Sequence, residues 1–495
     1  MSDNPSSFTQ ACHDAWRSDE QTRSTALVSN DVSLTYAQLQ ERVSGFAGTL
    51  RAAGVGQGDR VAIAMERSLD AVIAVFGTIF AGGCLCPLEP RLAGEEIGRR
   101  FAAVGVAAVV FDEANWDVMH SQELPKRVRI PFGWDRDPAF VDTDVGLDDA
   151  ALLLFTSGST GNPKGVLLSH SNLLANAHGV IARTELSAAD RLLHVMPIYH
   201  TNGLNNQLFS PFLVGATVCF AGRFSAREMP ALMARHRPTI VTGVPTMYSR
   251  MLDEEFSPDS LGELRFARCG SAPITEELHR RVEEKLRCPL VVSYGLSEAT
   301  CTSLMNPPDR RKIGTVGTVL PGQIVKIMRS RLNEELATGQ DGEIVIGGPA
   351  LMMGYLGADP EADRAITDGW LRTGDLGHFN DEGYLTITGR IKDVIIRGGE
   401  NISPGMIENV IAEIEGVRAC CVVGRKDADL GEVPVAFVVR ADNGVITEQE
   451  VLQAVAERLP RACRLASVIF LDALPETAIG KVDRKQVVAL SERTV

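Results

Sequence analysis

Ten consecutive residues concentrate the chemistry of this chain: Thr156, Ser157, Gly158, Ser159, Thr160, Gly161, Asn162, Pro163, Lys164 and Gly165, directly after the apolar run Leu152–Phe155. Three glycines leave backbone N–H groups open, four hydroxyl side chains add donors, and Lys164 adds a point charge. Such a set suits the wrapping of a polyphosphate. It is not a Walker A loop, in which Lys directly follows the second conserved-type glycine, because Asn162 and Pro163 intervene. A plain surface turn is the competing reading.

A loop of this kind needs rigid elements to hold it. From about Ser33 to Ala150 helical and strand-like runs alternate: LTYAQLQERVSGFAGTLRAAG reads as an amphipathic helix ended by Gly54, and RVAIAM as a buried strand. Alternation of this type predicts an α/β layer with a mostly parallel sheet. The same rhythm continues through ALLLFTS, the glycine loop, a helix from about Ser171, and the strands RLLHVMP and TIVTGVP. From Ile313 to Thr388 helices become scarce, and KIMRS, GEIVIGG and GYLTITG predict a small β subdomain. After Gly389, IENVIAEI and VLQAVAERL read as helices, ACCVVGR and PVAFVVR as strands, which predicts a separate α+β domain of about a hundred residues. The expected division is 1–390 and 391–495.

Bulk properties exclude several classes of function. The chain has 495 residues, too many for one compact core, and 49 Lys+Arg against 63 Asp+Glu give a formal charge of −14. That balance disfavours a nucleic-acid binder, which needs a basic surface to displace counterions. The first residues lack a basic region followed by an apolar stretch, so no secretory signal is expected. The ten cysteines lack zinc spacing and read as free buried thiols of a reducing cytoplasm. The uncharged stretch from Ala71 to Leu88 nears the length of a membrane span. Gly82 and Gly83 break it and Pro87 closes it, so a buried helix, a turn and a core strand are expected instead.

The string TSGSTGNPKG resembles the signature loop of the adenylate-forming superfamily, which includes acyl-CoA synthetases, luciferase and peptide-synthetase adenylation domains. Further landmarks follow in that family's order: Pro197-Ile-Tyr-His200, Gly270-Ser271-Ala272-Pro273, Tyr294-Gly295-Leu-Ser297-Glu298, Thr373-Gly-Asp375, Gly389-Arg390-Ile-Lys392-Asp393 and Gly480-Lys481. The resemblance, which covers nearly the whole chain, implies an ATP-dependent carboxylic acid–CoA ligase acting through an acyl-AMP, with ATP, Mg²⁺ and CoA. By position it implies that Tyr294 stacks on adenine against the Gly270–Pro273 backbone, and that Glu298 holds Mg²⁺. Asp375 would take the ribose hydroxyls with help from Arg390. His200 would stand between acyl pocket and reacting carboxylate, and Lys481 would bridge that carboxylate and the α-phosphate. Lys392 matches the hinge between domains, and Gly398 and Gly399 lie in the segment brought up for the thiol. Two departures stand out: Ser297 replaces a threonine, and acidic Glu476 precedes the catalytic lysine where the family has a neutral or basic residue.

The segments Thr201–Asn206, Thr242–Arg250 and Cys269–Ser271 are expected to line the acyl pocket, with Asn202 and Gly243 among them. GVPTMYSR and CGSAP resemble ligases of malonate and oxalate, making Arg250 the candidate for reading a second carboxylate. A surface arginine on the helix after Pro245 is the plainer reading, and medium-chain, aromatic and dicarboxylic acids stay open. CoA is the expected acceptor, with a carrier-protein phosphopantetheine reached in trans as the alternative. A catalytically inactive nucleotide-binding protein is a remote one, and monomer and homodimer both fit. GLSEA also resembles the G-x-S-x-G elbow of α/β-hydrolases, but Ala299 replaces the final glycine and Glu298 is better explained as a metal ligand.

Overall fold

The computed structural model describes residues 5–17, 21–29, 32–90, 92, 94–115, 128–131, 138–142, 144–157, 163–329, 334–357, 365–441, 444–477 and 481–493. Among them, two sheets with largely parallel cores fill the first two thirds of the chain. One runs in the order Gly354–Leu356, Pro163–Ser169, Ala150–Ser157, Cys84–Pro87, Arg60–Ala64, Ala108–Phe111 and Val128–Pro131. The other has nine strands, six of them parallel: Leu290–Tyr294, Phe266–Cys269, Ile240–Gly243, Arg191–His194, Thr217–Phe220 and Thr25–Ser29. Parallel strands need cover on both faces, which explains their near-continuous apolar runs. The helix Leu69–Phe80 is buried all round from Ala71 to Phe80, with Ser68 capping its N-terminus. With the strand Cys84–Pro87 it accounts for the uncharged stretch that nears membrane length. No described helix is long and apolar enough to cross a membrane.

The glycine loop is placed differently from expectation. A second strand, Pro163–Ser169, lies between the loop and the helix His170–Thr184, pairing antiparallel with Ala150–Ser157. Val166 and Leu168 alternate into the core on the period of a strand, a signal hidden by the glycines before them. The two strands that flank the loop residues therefore pair as a hairpin, with Ser157 opposite Pro163.

Residues 324–390 supply a six-stranded sheet with antiparallel pairing, the predicted β subdomain. From Ile395 onward the chain builds its own five-stranded sheet and two apolar clusters of its own. The chain is thus a large N-terminal α/β domain followed by a smaller α+β one. All ten cysteines are free, nine of them buried.

The helix His170–Thr184 opens on a histidine whose ring is fully buried, with neither nitrogen partnered among the described residues. Burial, only partly opposed by Asp149, pushes its pKa down to about 4. The unfolded chain takes up that proton near pH 6.5, so between about 6.5 and 4 the unfolded state binds more protons. Stability then rises with pH across this window and is lost as pH falls, by roughly 2–3 kcal/mol for one such group. Urea titrations at pH 7 and 4.5 should show a smaller loss for His170→Phe than for the parent chain.

Candidate active site

The carboxyl ends of the nine-stranded sheet and the edge of the β subdomain meet at Tyr294, the last residue of its strand. Its hydroxyl donates to Asp375 Oδ2 at 2.6 Å. Asp375 and Arg390 face each other across the hairpin of Trp370–Phe379 and Leu385–Arg390, and the guanidinium donates to both carboxylate oxygens. Asp375 is 3% exposed. Burial and the neighbouring carboxylate hold the Tyr294 phenol well above its usual range, so it stays a donor. Beside them Gly270 cannot carry a side chain without crowding Ser293, and Ser271 adopts φ +70°. The Gly270–Pro273 backbone is thereby presented as an open turn with Ser271 and Pro273 exposed and Ala272 half-buried. A Cβ at Gly295 would overlap the Cys301 carbonyl, so this glycine allows the chain around Glu298 to fold back on itself.

Glu298 lies on the short turn Ser297–Ala299 and accepts a hydrogen bond from the Tyr355 hydroxyl at 2.7 Å. The Lys164 ammonium stands 5.6 Å from the centre of the same tyrosine ring. Tyr355 thus links the lysine of the glycine loop to the candidate metal ligand, a role absent from every sequence motif considered above. Its only sequence signal is an aromatic residue after Gly354 in a weakly patterned stretch. Gly158, Ser159, Thr160 and Gly161 lie outside the described residues. Thr156 and Ser157 end the first strand of the hairpin.

Opposite this corner stands His200, whose pKa is pushed down to about 4 by burial and then by the charges of Lys481 and Arg100. It is a neutral imidazole at neutral pH. The Lys481 ammonium, brought in from the C-terminal domain, has its own pKa lowered by burial and by Arg390, with Cys301 acting against them. Lys481 is therefore within electrostatic reach of His200, Cys301 and Arg390, residues from three separate parts of the chain. Behind His200 runs a π-helix, Asn202–Phe209, whose residues are all buried. A Cβ at Gly203 would overlap the Pro197 carbonyl, so a glycine lets this helix close on the His200 turn. Asn206 Nδ2 donates to Asn202 Oδ1, Cys301 Sγ and Thr302 Oγ1 at 3.0–3.1 Å. Gly243 lies buried at the end of its strand against the Tyr248 ring.

Arg250 is not in this pocket. It ends up on the helix Pro245–Met251, 45% exposed, and donates to Glu476 of the C-terminal domain at 2.6 Å. The pairing matches the plainer reading of Arg250 as a surface arginine, and it sets an arginine against the unusual acidic residue before Lys481. A second ion pair, Arg418 to Asp253 at 3.1 Å, joins the same two domains. Lys392 is exposed in the turn after Arg390, and Gly398 and Gly399 form an exposed turn with positive φ. The bonds of that turn run within its own domain, as from Gly398 N to Leu430 O at 2.7 Å.

Residues 15–356 match the AMP-binding enzyme family, and residues 406–481 match the AMP-binding enzyme C-terminal domain. A feruloyl-CoA synthase from an Amycolatopsis species is 35% identical, with 94% of this chain and 95% of that protein covered. An indoleacetate–CoA ligase from Aromatoleum aromaticum is also 35% identical over 94% of this chain and 95% of its own. The crystal structure of ATP-bound MatB from Rhodopseudomonas palustris superposes with a TM-score of 0.91 at 31% identity, covering 98% of this chain and 99% of that one.

Proposed function

Because the chain belongs to the AMP-binding enzyme family, we propose that Tyr294, Asp375 and Arg390 hold the adenosine of ATP and that Lys481 and His200 flank the reacting carboxylate. The enzyme is an ATP-dependent carboxylic acid–CoA ligase that works through an acyl-AMP. The observation carrying the residue assignment is the convergence of Lys481 on His200, with Arg390 and its partner Asp375 beside it.

An ionised carboxylate needs no general base; its obstacle is approach to an anionic triphosphate. The carboxylate oxygen forms a bond to the α-phosphorus, the bond from that phosphorus to the bridging oxygen breaks, and pyrophosphate leaves. The Lys481 ammonium offsets the charge that gathers there. His200, kept neutral, adds no competing cation and orients the acid. Glu298 supplies one hard oxygen ligand fit for Mg²⁺, and the described residues hold no cluster of three or more metal-binding side chains. A single carboxylate suits a metal held largely by phosphates and water, and the ion would supply charge neutralisation at the phosphates. In the second half the CoA thiol, losing its proton, attacks the acyl carbon and AMP departs.

We place the mobile domain at 391–495 with Lys392 as its hinge, since Gly398 bonds within its own domain to Leu430 while Lys481 is engaged. All ten thiols being free agrees with a cytoplasmic enzyme. For the acid, the buried asparagines behind His200 and relatives named for feruloyl and indoleacetate substrates support a ring-bearing acid with polar substituents. The test is a CoA-dependent, pyrophosphate-releasing assay across ring-bearing, dicarboxylic and plain fatty acids. A CoA thioester is expected; pyrophosphate release without one would refute CoA as acceptor.

Arg250 and Glu476 help hold Lys481 in place. Glu476→Arg sets two guanidinium groups against each other and should slow adenylation by about 2- to 5-fold, as for a partly exposed pair. The exchanged pair, R250E with E476R, should recover most of the loss, measured as acid-dependent ATP–pyrophosphate exchange at low salt.

A further inference from the structure

Among the described residues of the N-terminal domain one arginine is buried, Arg268, and the half-buried Arg67 makes the contrast. Arg67 spends its donors on fixed acceptors: Nε on Ala221 O at 2.7 Å, Nη1 on Met196 O at 2.6 Å, Nη2 on His194 Nδ1 at 2.8 Å. Arg268, 3% exposed, leaves Nε and Nη2 without a partner among the described residues. It occupies the penultimate position of Phe266–Cys269, in the middle of the nine-stranded sheet, in register with Thr242 and Val291. Its backbone is firmly held, the Tyr248 hydroxyl donating to its carbonyl at 2.7 Å.

Among the described residues no counter-charge accompanies it. The groups that act on it electrostatically are Cys301 and Tyr248, a thiol and a phenol that burial keeps neutral. Burial accordingly pushes its pKa down to about 10, which still leaves a full cation at neutral pH. A buried, unpaired guanidinium is costly, and with no acceptor among the described residues the cost is removed by one from outside the chain. A water would take a hydrogen bond but neutralise nothing.

Its position says which acceptor can arrive. Cys301 interacts electrostatically with both Arg268 and Lys481, so the buried arginine and the lysine of the reacting carboxylate are both neighbours of one thiol. Asn206 bonds that thiol, and Asn206 belongs to the π-helix behind His200.

We propose that Arg268 is a specificity-determining residue of the acyl pocket, receiving an oxygen acceptor carried at the end of the acyl group remote from the reacting carboxylate. The inference rests on the acid–CoA ligase reading of the cleft and narrows its substrate: the acid carries a second oxygen function where a plain fatty acid has only hydrocarbon. A second carboxylate is the best match to an uncompensated cation, bonded in the forked geometry of a guanidinium; a ring ketone or phenol shares the same acceptor chemistry.

The test compares matched acids of one skeleton, ending in carboxylate, ketone, hydroxyl or hydrogen, by acid-dependent ATP–pyrophosphate exchange. The parent enzyme should prefer at least one oxygenated acid over its hydrocarbon match in kcat/KM. In Arg268→Met that ratio should fall by about 10- to 100-fold while exchange with the hydrocarbon acid stays near parent level. Arg268→Lys, which keeps the charge but not the fork, should retain part of a carboxylate preference, and it guards against misfolding of the methionine variant. A ratio unchanged in Arg268→Met, or a parent enzyme that favours the hydrocarbon acid, overturns the proposal and leaves the ligase intact. Exchange with no acid at all overturns the ligase reading and this inference with it.

Discussion

Replacing Lys481 with methionine is expected to lower acid-dependent ATP–pyrophosphate exchange by about 10²- to 10³-fold while leaving thioester formation from supplied acyl-adenylate and CoA near the parent rate. Methionine keeps an unbranched stem and removes the charge, so packing at the domain junction changes little. What it removes is the cation aimed at the charge that builds between carboxylate and α-phosphate, and loss of one such preorganised group is worth about that factor. The lysine is half-buried and already sits in an electropositive corner, its pKa lowered by burial and by Arg390. The chain has accumulated cations there at a cost to itself, which is reasonable only if a polyanion arrives. The second half-reaction starts from a mixed anhydride and has no triphosphate to approach, so it should not need the ammonium. Equal losses in both halves would mean that Lys481 positions the domain as a whole and does not act on the phosphate.

Much of this corner was legible before any coordinates. Tyr294, Asp375, Arg390 and Lys481 stand in motifs that the resemblance to the adenylate-forming superfamily groups, and the structure brings all four to one place. The elements that carry them were equally readable, since apolar runs bounded by glycines mark parallel strands and their turns. The π-helix Asn202–Phe209 was not, because NGLNNQLF is rich in residues that favour turns and carries no clean helical period. It is stabilised from outside, by the buried His194 ring at the Gly203 carbonyl and by Ser210 at Asn205 O. The extra strand Pro163–Ser169 was hidden for a related reason: proline and glycine at its start outweighed its alternation.

The arginines show where pattern reading fails. Arg250 lies on a proline-led helix and was singled out by the resemblance of GVPTMYSR to ligases of malonate and oxalate, yet its partner lies 226 residues away at Glu476. Arg268 lay one residue outside the segment assigned to the pocket, and the available signal was a charged residue inside the buried strand FARC. A charge in a strand apolar on both sides is an anomaly that asks for a partner. Tyr355 gave no such signal, because its meaning depends on Glu298 and Lys164 meeting over it in space.

Asp375→Asn should raise the KM for ATP by at least about tenfold and destabilise the fold by roughly 3 kcal/mol. The carboxylate is 3% exposed and holds both the Arg390 guanidinium and the Tyr294 hydroxyl. An amide of the same shape keeps one acceptor but turns an NH₂ group toward a donor, leaving a partly buried cation without its anion; breaking such a pair costs about that much. Stability alone would not prove contact with ATP, so the decisive measurement replaces the nucleotide as well. If Asp375 accepts from the ribose, deoxy-ATP analogues lacking a ribose hydroxyl should bind the parent enzyme less tightly than ATP. Asp375→Asn should no longer tell them apart, because a lost donor matters only where its acceptor remains. The two changes then couple, in the sense of a double-mutant cycle, by an amount near the cost of one charge-assisted hydrogen bond, about 1.5–3 kcal/mol. Strict additivity of the two losses would confine Asp375 to holding Tyr294 and Arg390 in place. The adenosine assignment would then rest on the ring and the backbone turn beside it.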